Sequence, residues 1–373
     1  MLNTSGRHII EKGLRYVHND ACYPAILVIG QLLDALESGK YDVNKTAVMI
    51  MQTGGGCRAS NYISMLRKAL GRAGLSHIPV ISFNLLGIEK NPGFKLTLPL
   101  IFQILYAILY GDLIMTLVQR SRPYEKEKGA ANALAEEWTD RIASDLQQKG
   151  SLSYRRLKKN FVRIVHDFEA IERSDEKKVK VGIVGEIYVK FSPLGNNNLE
   201  DFLVNEGAEA VMPGLLDFCL YYVSNYIYNA KQYGINKKTV PLYKLLYKAF
   251  SKCQKDLIFA ISENSRFDPP TPFKHTHELV KGYMGYGAQM GEGWLLTAEM
   301  LELIESGTSN IICTQPFGCL PNHIVGKGVM KRIRENYPTA NIVAIDYDPG
   351  STAINQENRI KLMLANAERQ REK

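Results

Sequence analysis

Short, almost wholly apolar runs alternate along this chain with longer runs of helical period. "TAVMIMQ" (46–52) and "IPVISFN" (78–84) have the length of buried strands. Between them "RASNYISMLRKALGRAG" has a helical period and closes on glycine. Strand, helix, strand at this spacing is a βαβ unit with parallel strands. Just upstream, "ACYPAILVIGQLLDALESG" predicts a helix over 24–37 that ends at Gly39.

From about 95 to 175 the strand runs stop, and long amphipathic helical patterns rich in Lys, Arg and Glu take over. Strand-like runs return at 179–185, 208–213, 310–315 and 341–346, separated by apolar helical runs at 214–232, 238–262 and 293–306. Segment 266–294, with three prolines and five glycines, is loop-rich and predicted to cover a site or an interface. The pattern predicts an α/β protein. Two Rossmann-like or flavodoxin-like domains, 1–94 and 178–373, would turn mostly parallel sheets toward a shared cleft. A helical segment, 95–177, lies between them in sequence and is expected to pack on the first.

Composition narrows the class. A chain of 373 residues with 45% hydrophobic and 23% charged residues is a globular protein of more than one domain. A net charge of +8 suits an anionic ligand or partner. One basic helical stretch, 126–163, also accounts for such an excess, and no nucleic-acid motif accompanies it. The start of the chain lacks the continuous apolar core of a signal peptide. Residues 96–118 have the length of a membrane span, but Gln103, Gly111 and Asp112 interrupt them, so a buried core helix is expected. A cytoplasmic protein follows, with no membrane and no nucleic-acid partner. Its six cysteines are then thiols or metal ligands rather than disulfides.

The chemistry concentrates in two loops at strand ends. In "TGGGCRASNY" (53–62), Gly54, Gly55 and Gly56 precede Cys57, as if a bound group had to come close to the backbone. With Arg58 they are candidate cofactor-binding residues. "CTQPFGCLPNH" (313–323) places Cys319 at the end of a second strand, and "NDACYPA" places Cys22 at the head of a helix. Ligands collect at the carboxyl edge of such sheets, and helix N–H groups lower a thiol's pKa. No CxxC pair of the kind zinc sites use is present. An iron–sulfur cluster can be held by cysteines on separate loops, and three would leave one iron open. Spacing alone does not choose between that and buried apolar thiols. Cys219, Cys253 and Cys313 lie within apolar runs and read as packing. Glu186, ending strand 179–185, is a candidate general acid or base, and His323 a candidate proton donor or a helix cap. Asn197 and Asn198 read as helix caps, His275 and His277 as lid residues, and Asp346, Asp348 and Gly350 as a capping turn.

Several longer phrases carry a resemblance. "HNDACYPAILVIGQ", "QTGGGCRASNYISMLRKAL", "NPGFKL", "GEIYVKFSPLGNNNLEDFLVNEGAEAVMPGLLDF" and "TQPFGCLPNHIVGKGVMKRIRENYPTANIVAIDYDPGSTAINQENRIKLML" resemble the 2-hydroxyacyl-CoA dehydratase component family, which includes benzoyl-CoA reductase-type subunits. They are most similar to the dehydratase-like C-terminal portion of CoA-substrate-specific enzyme activase-related proteins of anaerobic bacteria. The resemblance implies an oxygen-sensitive [4Fe-4S] cluster on three cysteines, here Cys22, Cys57 and Cys319. It implies an acyl-CoA substrate and a ketyl-type radical reaction of a lyase or reductase. Electrons would come from a separate ATP-hydrolysing activator, an iron–sulfur dimer with an actin/Hsp70-like ATPase fold. A related second subunit or a homodimer is also implied. The activator's glycine motifs are absent from this chain. Two other readings stand beside this one, a non-catalytic iron–sulfur electron-transfer module and a zinc-binding or metal-free scaffold subunit.

Overall fold

The computed structural model describes residues 2, 4–18, 20–53, 55–83, 94–148 and 152–371; Gly54 lies outside the described residues. The fold is mixed α/β, with two short sheets and helices that make up most of the chain. In the smaller sheet β1 (Val48–Met51) pairs in parallel with β2 (Val80–Phe83), Val48 opposite Val80. The larger sheet is built from β3 (Val179–Gly185), β4 (Ala208–Val211), β5 (Asn310–Pro316) and β6 (Asn341–Tyr347). Their order is β4-β3-β5-β6, and every pairing is parallel. Each strand falls within a residue or two of a run identified by its apolar pattern.

The helices, in chain order, begin with α1 (Arg7–Tyr16), α2 (Tyr23–Glu37), α3 (Tyr62–Arg72), α4 (Leu98–Ser121), α5 (Ala130–Gln147) and α6 (Tyr154–Glu169). Three short ones follow β3: α7 (Ile187–Phe191), α8 (Pro193–Asn196) and α9 (Leu199–Asn205). Then come α10 (Leu215–Gln232), α11 (Val240–Asn264), α12 (Phe273–Leu279), α13 (Trp294–Glu305), α14 (Lys327–Asn336) and α15 (Ala353–Arg371).

Helix α2 is shared between two cores. Ala25, Ile26, Ile29 and Leu33 pack with Ile63 and Leu66 of α3 and with Val48 and Ile50 of β1. Tyr23 and Leu27, on its other side, pack with Ile183, Ile312 and Ile345 of the large sheet and Ile360 of α15. An all-round apolar sequence, "YPAILVIGQLL", is what a helix buried on two sides requires.

The helical segment sits differently from the expectation. Leu105, Leu109, Leu113 and Leu117 recur every four residues on α4 and bury against Phe161 and Phe168 of α6, Leu220 of α10 and Ile261 of α11. Segment 95–177 therefore packs with the second region, not on the first. Amphipathicity shows that a face is buried but not against what. A specific polar anchor decides it: Asp112 accepts hydrogen bonds from Leu215 N and Leu216 N, both at 2.8 Å, and so docks α4 on the start of α10. Among the described residues, α4 is the one helix long and apolar enough to cross a membrane by length and composition. Its leucine row is buried in protein, while Leu98, Ile101 and Phe102 at its start are exposed.

The capping asparagine is also a different one. Asn196 Oδ1 accepts from Leu199 N at 3.1 Å, and Asn197 and Asn198 hold left-handed backbone at φ 56° and 57° before α9. The cap thus comes from one residue earlier than the sequence suggested.

Candidate functional site

Five separate stretches of chain meet at one cavity of about 90 Å³. Its wall includes Cys22, Cys57 and Cys319 together with Arg58, Tyr62, Glu186 and Glu292. The meeting is fixed by backbone contacts. Tyr23 N donates to Phe317 O at 3.0 Å, and Phe317 N donates to Tyr347 O at 2.7 Å, so the head of α2 is tied to the ends of β5 and β6. Gly318, at φ 77°, sits in the crossing: a Cβ there would lie 3.2 Å from Cys22 Cα and 2.9 Å from Arg58 Nη1. A left-handed backbone and this close approach together demand glycine.

Each thiol has its own polar neighbours. The Tyr62 hydroxyl is 2.5 Å from Cys22 Sγ, and Asn322 Nδ2 donates to Cys319 Sγ at 3.1 Å. Burial pushes the Cys22 thiol up to about 11 and raises Cys57 and Cys319 as well. The charges of Glu292 and Glu186 raise the last two further. This reverses the expectation that helix N–H groups would lower the thiol pKa. Desolvation and two neighbouring carboxylates outweigh a few backbone dipoles. Burial and the two carboxylates thus favour the protonated thiols. Among the described residues no three His, Cys, Asp or Glu side chains lie close enough to share a single metal ion. The cysteines are spread around the cavity instead. All six cysteines are free.

Two carboxyls complete the wall. Gly185 ends β3 at φ 139°, and there a Cβ would collide with Thr314 O and Oγ1 of the neighbouring strand. Glu186 follows at the strand's carboxyl edge. Its side chain accepts from Val189 N at 2.9 Å, and Glu292 Oε1 accepts from Ile187 N at 3.0 Å, so both carboxyls cap the same short helix α7. Burial, then the charge of Glu292, pushes Glu186 up to about 8, and burial raises Glu292 too. Two such groups cannot both ionise cheaply, and the pair holds a proton near neutral pH. Behind them Lys190 Nζ bonds Glu299 at 3.1 Å, with both side chains buried. The buried Asp217 and Asp112 stand nearby, Asp217 raised by burial and the charge of Glu299.

The remaining predicted residues divide. Gly56 and Arg58 are on the cavity wall, whereas Gly55 is not among its lining residues. Gly56 N donates to Met290 Sδ at 3.0 Å, and a Cβ at Gly55 or Gly56 would meet that same sulfur before it met the cavity. Arg58 Nη1 donates to the Asp20 carbonyl. His323 lies outside the lining: its Nδ1 is 2.9 Å from the Cys319 carbonyl, and its Nε2 faces Asp346 Oδ1 at 3.7 Å. One helical turn beyond Cys319 carries it past the cavity. His275 pairs with Glu305, while His277 stacks on Tyr286 with centroids 4.4 Å apart, so the two point to different neighbours. Tyr62, Asn322 and Glu292 were not anticipated from sequence. Glu292 sits in "MGEGW", inside the loop-rich segment 266–294, and only the segment's glycines hinted that something is held there. Comparison with protein-family models, with curated proteins and with solved structures gives no match for this chain.

Proposed function

We propose that the chain is a [4Fe-4S]-binding component of the 2-hydroxyacyl-CoA dehydratase type. The supporting observation is that Cys22, Cys57 and Cys319, from three distant segments, line one cavity. The donor set fits such a group. It offers three thiols on one cavity wall, with Tyr62 and Asn322 placed to hydrogen-bond two of the sulfurs. When bound, the cluster would supply single low-potential electrons and an open iron. The resemblance of the surrounding phrases adds the rest of the reading: an acyl-CoA substrate and electrons from a separate ATP-hydrolysing activator. On the same reading the small and large sheets with their helices are two Rossmann-like domains facing a shared cleft.

The chain's own residues take the proton side. Glu186 and Glu292 hold a proton between them at the cavity wall, where a departing hydroxide would need one. Arg58 and the backbone around Gly56 form part of the wall, with the Arg58 guanidinium beside Gly318 of the Cys319 loop, where it can orient an anionic or carbonyl oxygen. This acid pair beside the thiols favours a catalytic component over a pure electron carrier.

Anaerobic reconstitution with iron and sulfide tests the reading. The protein is expected to turn brown and to lose that absorption in air. Cys22→Ser, Cys57→Ser and Cys319→Ser should each lower bound iron sharply, while Cys219→Ser and Cys253→Ser leave it unchanged. Colourless protein with stoichiometric zinc, or full iron retention in the Cys57 variant, would overturn it.

A further inference from the structure

A second cavity lies away from the cysteines, between α5 and α6. It measures about 380 Å³ and is lined by Trp138, Arg141, Asp145, Arg156, Lys159, Asn160 and Arg163. Four cations and one carboxylate line it, and Glu137 pairs with one of the four, leaving two positive charges in excess. Arg156 is paired with Asp145 at 2.6 Å, and Arg141 lies over the Trp138 ring at 5.2 Å while bonded to Glu137. Lys159 and Arg163 are exposed and make no ion pair or side-chain hydrogen bond among the described residues. On α6, Arg156, Lys159 and Arg163 fall at helical spacing, so they share the face that lines the cavity.

The charge pattern of α6 runs against its own stability. Arg155, Arg156, Lys158 and Lys159 crowd its first turn and a half, and its acids, Asp167 and Glu169, stand in the last turn. The helix dipole favours the opposite order at both ends. Ser153 caps the helix by accepting from Arg156 N, so the third helical position is one where Glu or Gln would complete a capping box; Arg stands there instead. Local rules are broken in this way where a site needs the charge.

We propose that this cleft binds a small ligand carrying two or more phosphates. Guanidinium forks match phosphate oxygens two at a time, and three arginines with a lysine, two of the four unpaired, suit a multiply charged phosphate ligand. A concave space of this size suits a small molecule rather than a flat partner surface. The site is separate from the cysteine cavity and stands whether or not those cysteines hold a cluster.

Pyrophosphate is the probe, titrated calorimetrically into the full chain at low salt, with citrate as a polyanion that lacks phosphate. Saturable one-site binding is expected, weakened by added salt and not matched by citrate. The double variant Lys159→Gln/Arg163→Gln removes two unpaired, exposed cations and should bind about tenfold or more weakly, with its melting temperature unchanged. Arg156→Gln should also weaken binding, while its melting temperature holds or rises as the capping box forms. The control Lys244→Gln/Lys248→Gln on α11 removes the same net charge and should bind as the parent does. No saturable binding by the parent, equal affinity in the Lys159/Arg163 variant, equal loss in the control, or citrate binding as tightly as pyrophosphate would each overturn the proposal.

Discussion

Replacing Glu292 with Gln tests the shared proton at the cavity wall. Gln keeps a carbonyl oxygen for Ile187 N, so the cap on α7 survives, and only the charge is removed. In the folded protein Glu186 is pushed from 4.5 up to about 8, first by burial and then by Glu292. A carboxyl raised in this way binds a proton in the folded state that the unfolded chain has already released. Its contribution to stability is therefore fully present below 4.5 and is lost as pH rises toward 8. At about 1.4 kcal/mol per unit, the full window corresponds to at most about 5 kcal/mol. The variant removes the second cause of the shift, and the raised titration of Glu292 itself, but leaves burial in place. Urea unfolding measured from about pH 5 to about pH 9 should thus show a steep loss of stability in the parent and a distinctly shallower one in Glu292→Gln. The gap between the two curves should open above the ordinary glutamate range and be widest at the alkaline end. Curves that run parallel across the window, or a parent that gains stability as pH rises there, would refute the coupling of the two carboxyls.

Two further outcomes concern the frame that holds the site. Gly185→Ala combines a disfavoured backbone with a collision against Thr314, and should cost about 2–6 kcal/mol in denaturant unfolding; a loss under about 1 kcal/mol would mean the β3–β5 edge can relax. Lys190→Met strands the buried Glu299 and should destabilise by about 3–5 kcal/mol, whereas Lys190→Met/Glu299→Leu should recover most of that loss. Additive losses in the double variant would show that the pair is not an energetic unit.

Much of the frame was legible because its signals are local. Each strand-like apolar run from 46–52 to 341–346 became a parallel strand, because a short continuous apolar run is a local signal; β3, β4 and β5 are largely buried, whereas β1, expected to be buried, leaves Met49 and Met51 exposed. Cys22, Cys57 and Cys319 could be singled out because each follows a strand or precedes a helix beside Gly or Pro. Their convergence could not be read, because it depends on a hydrogen bond from Tyr23 to Phe317 and on the side of the large sheet that α2 covers. Glu292 escaped notice for a similar reason. It lies in an irregular loop with no period, and its importance comes from the position of Ile187, far away in sequence. His323 shows the reverse error: nearness in sequence to Cys319 suggested a shared site, but helix geometry carries it past the cavity. The cations of α6 were visible from the start, as part of the basic helical stretch that accounts for the net charge. Only their closure against α5 gives them a cavity to line.

The tie between the head of α2 and the end of β5 also sets an order of events as the chain is made. Cys22 and Cys57 leave the ribosome well before Cys319 and the strand that aims it. Glu186 and Glu292 arrive in between. The contacts that assemble the cavity span most of the chain, and long-range contacts of this kind form late in folding. Until β5 is released, the nascent protein carries two thiols with neither their third partner nor the carboxyls placed around them. A chain halted before β5 should therefore lack the cavity that these residues line.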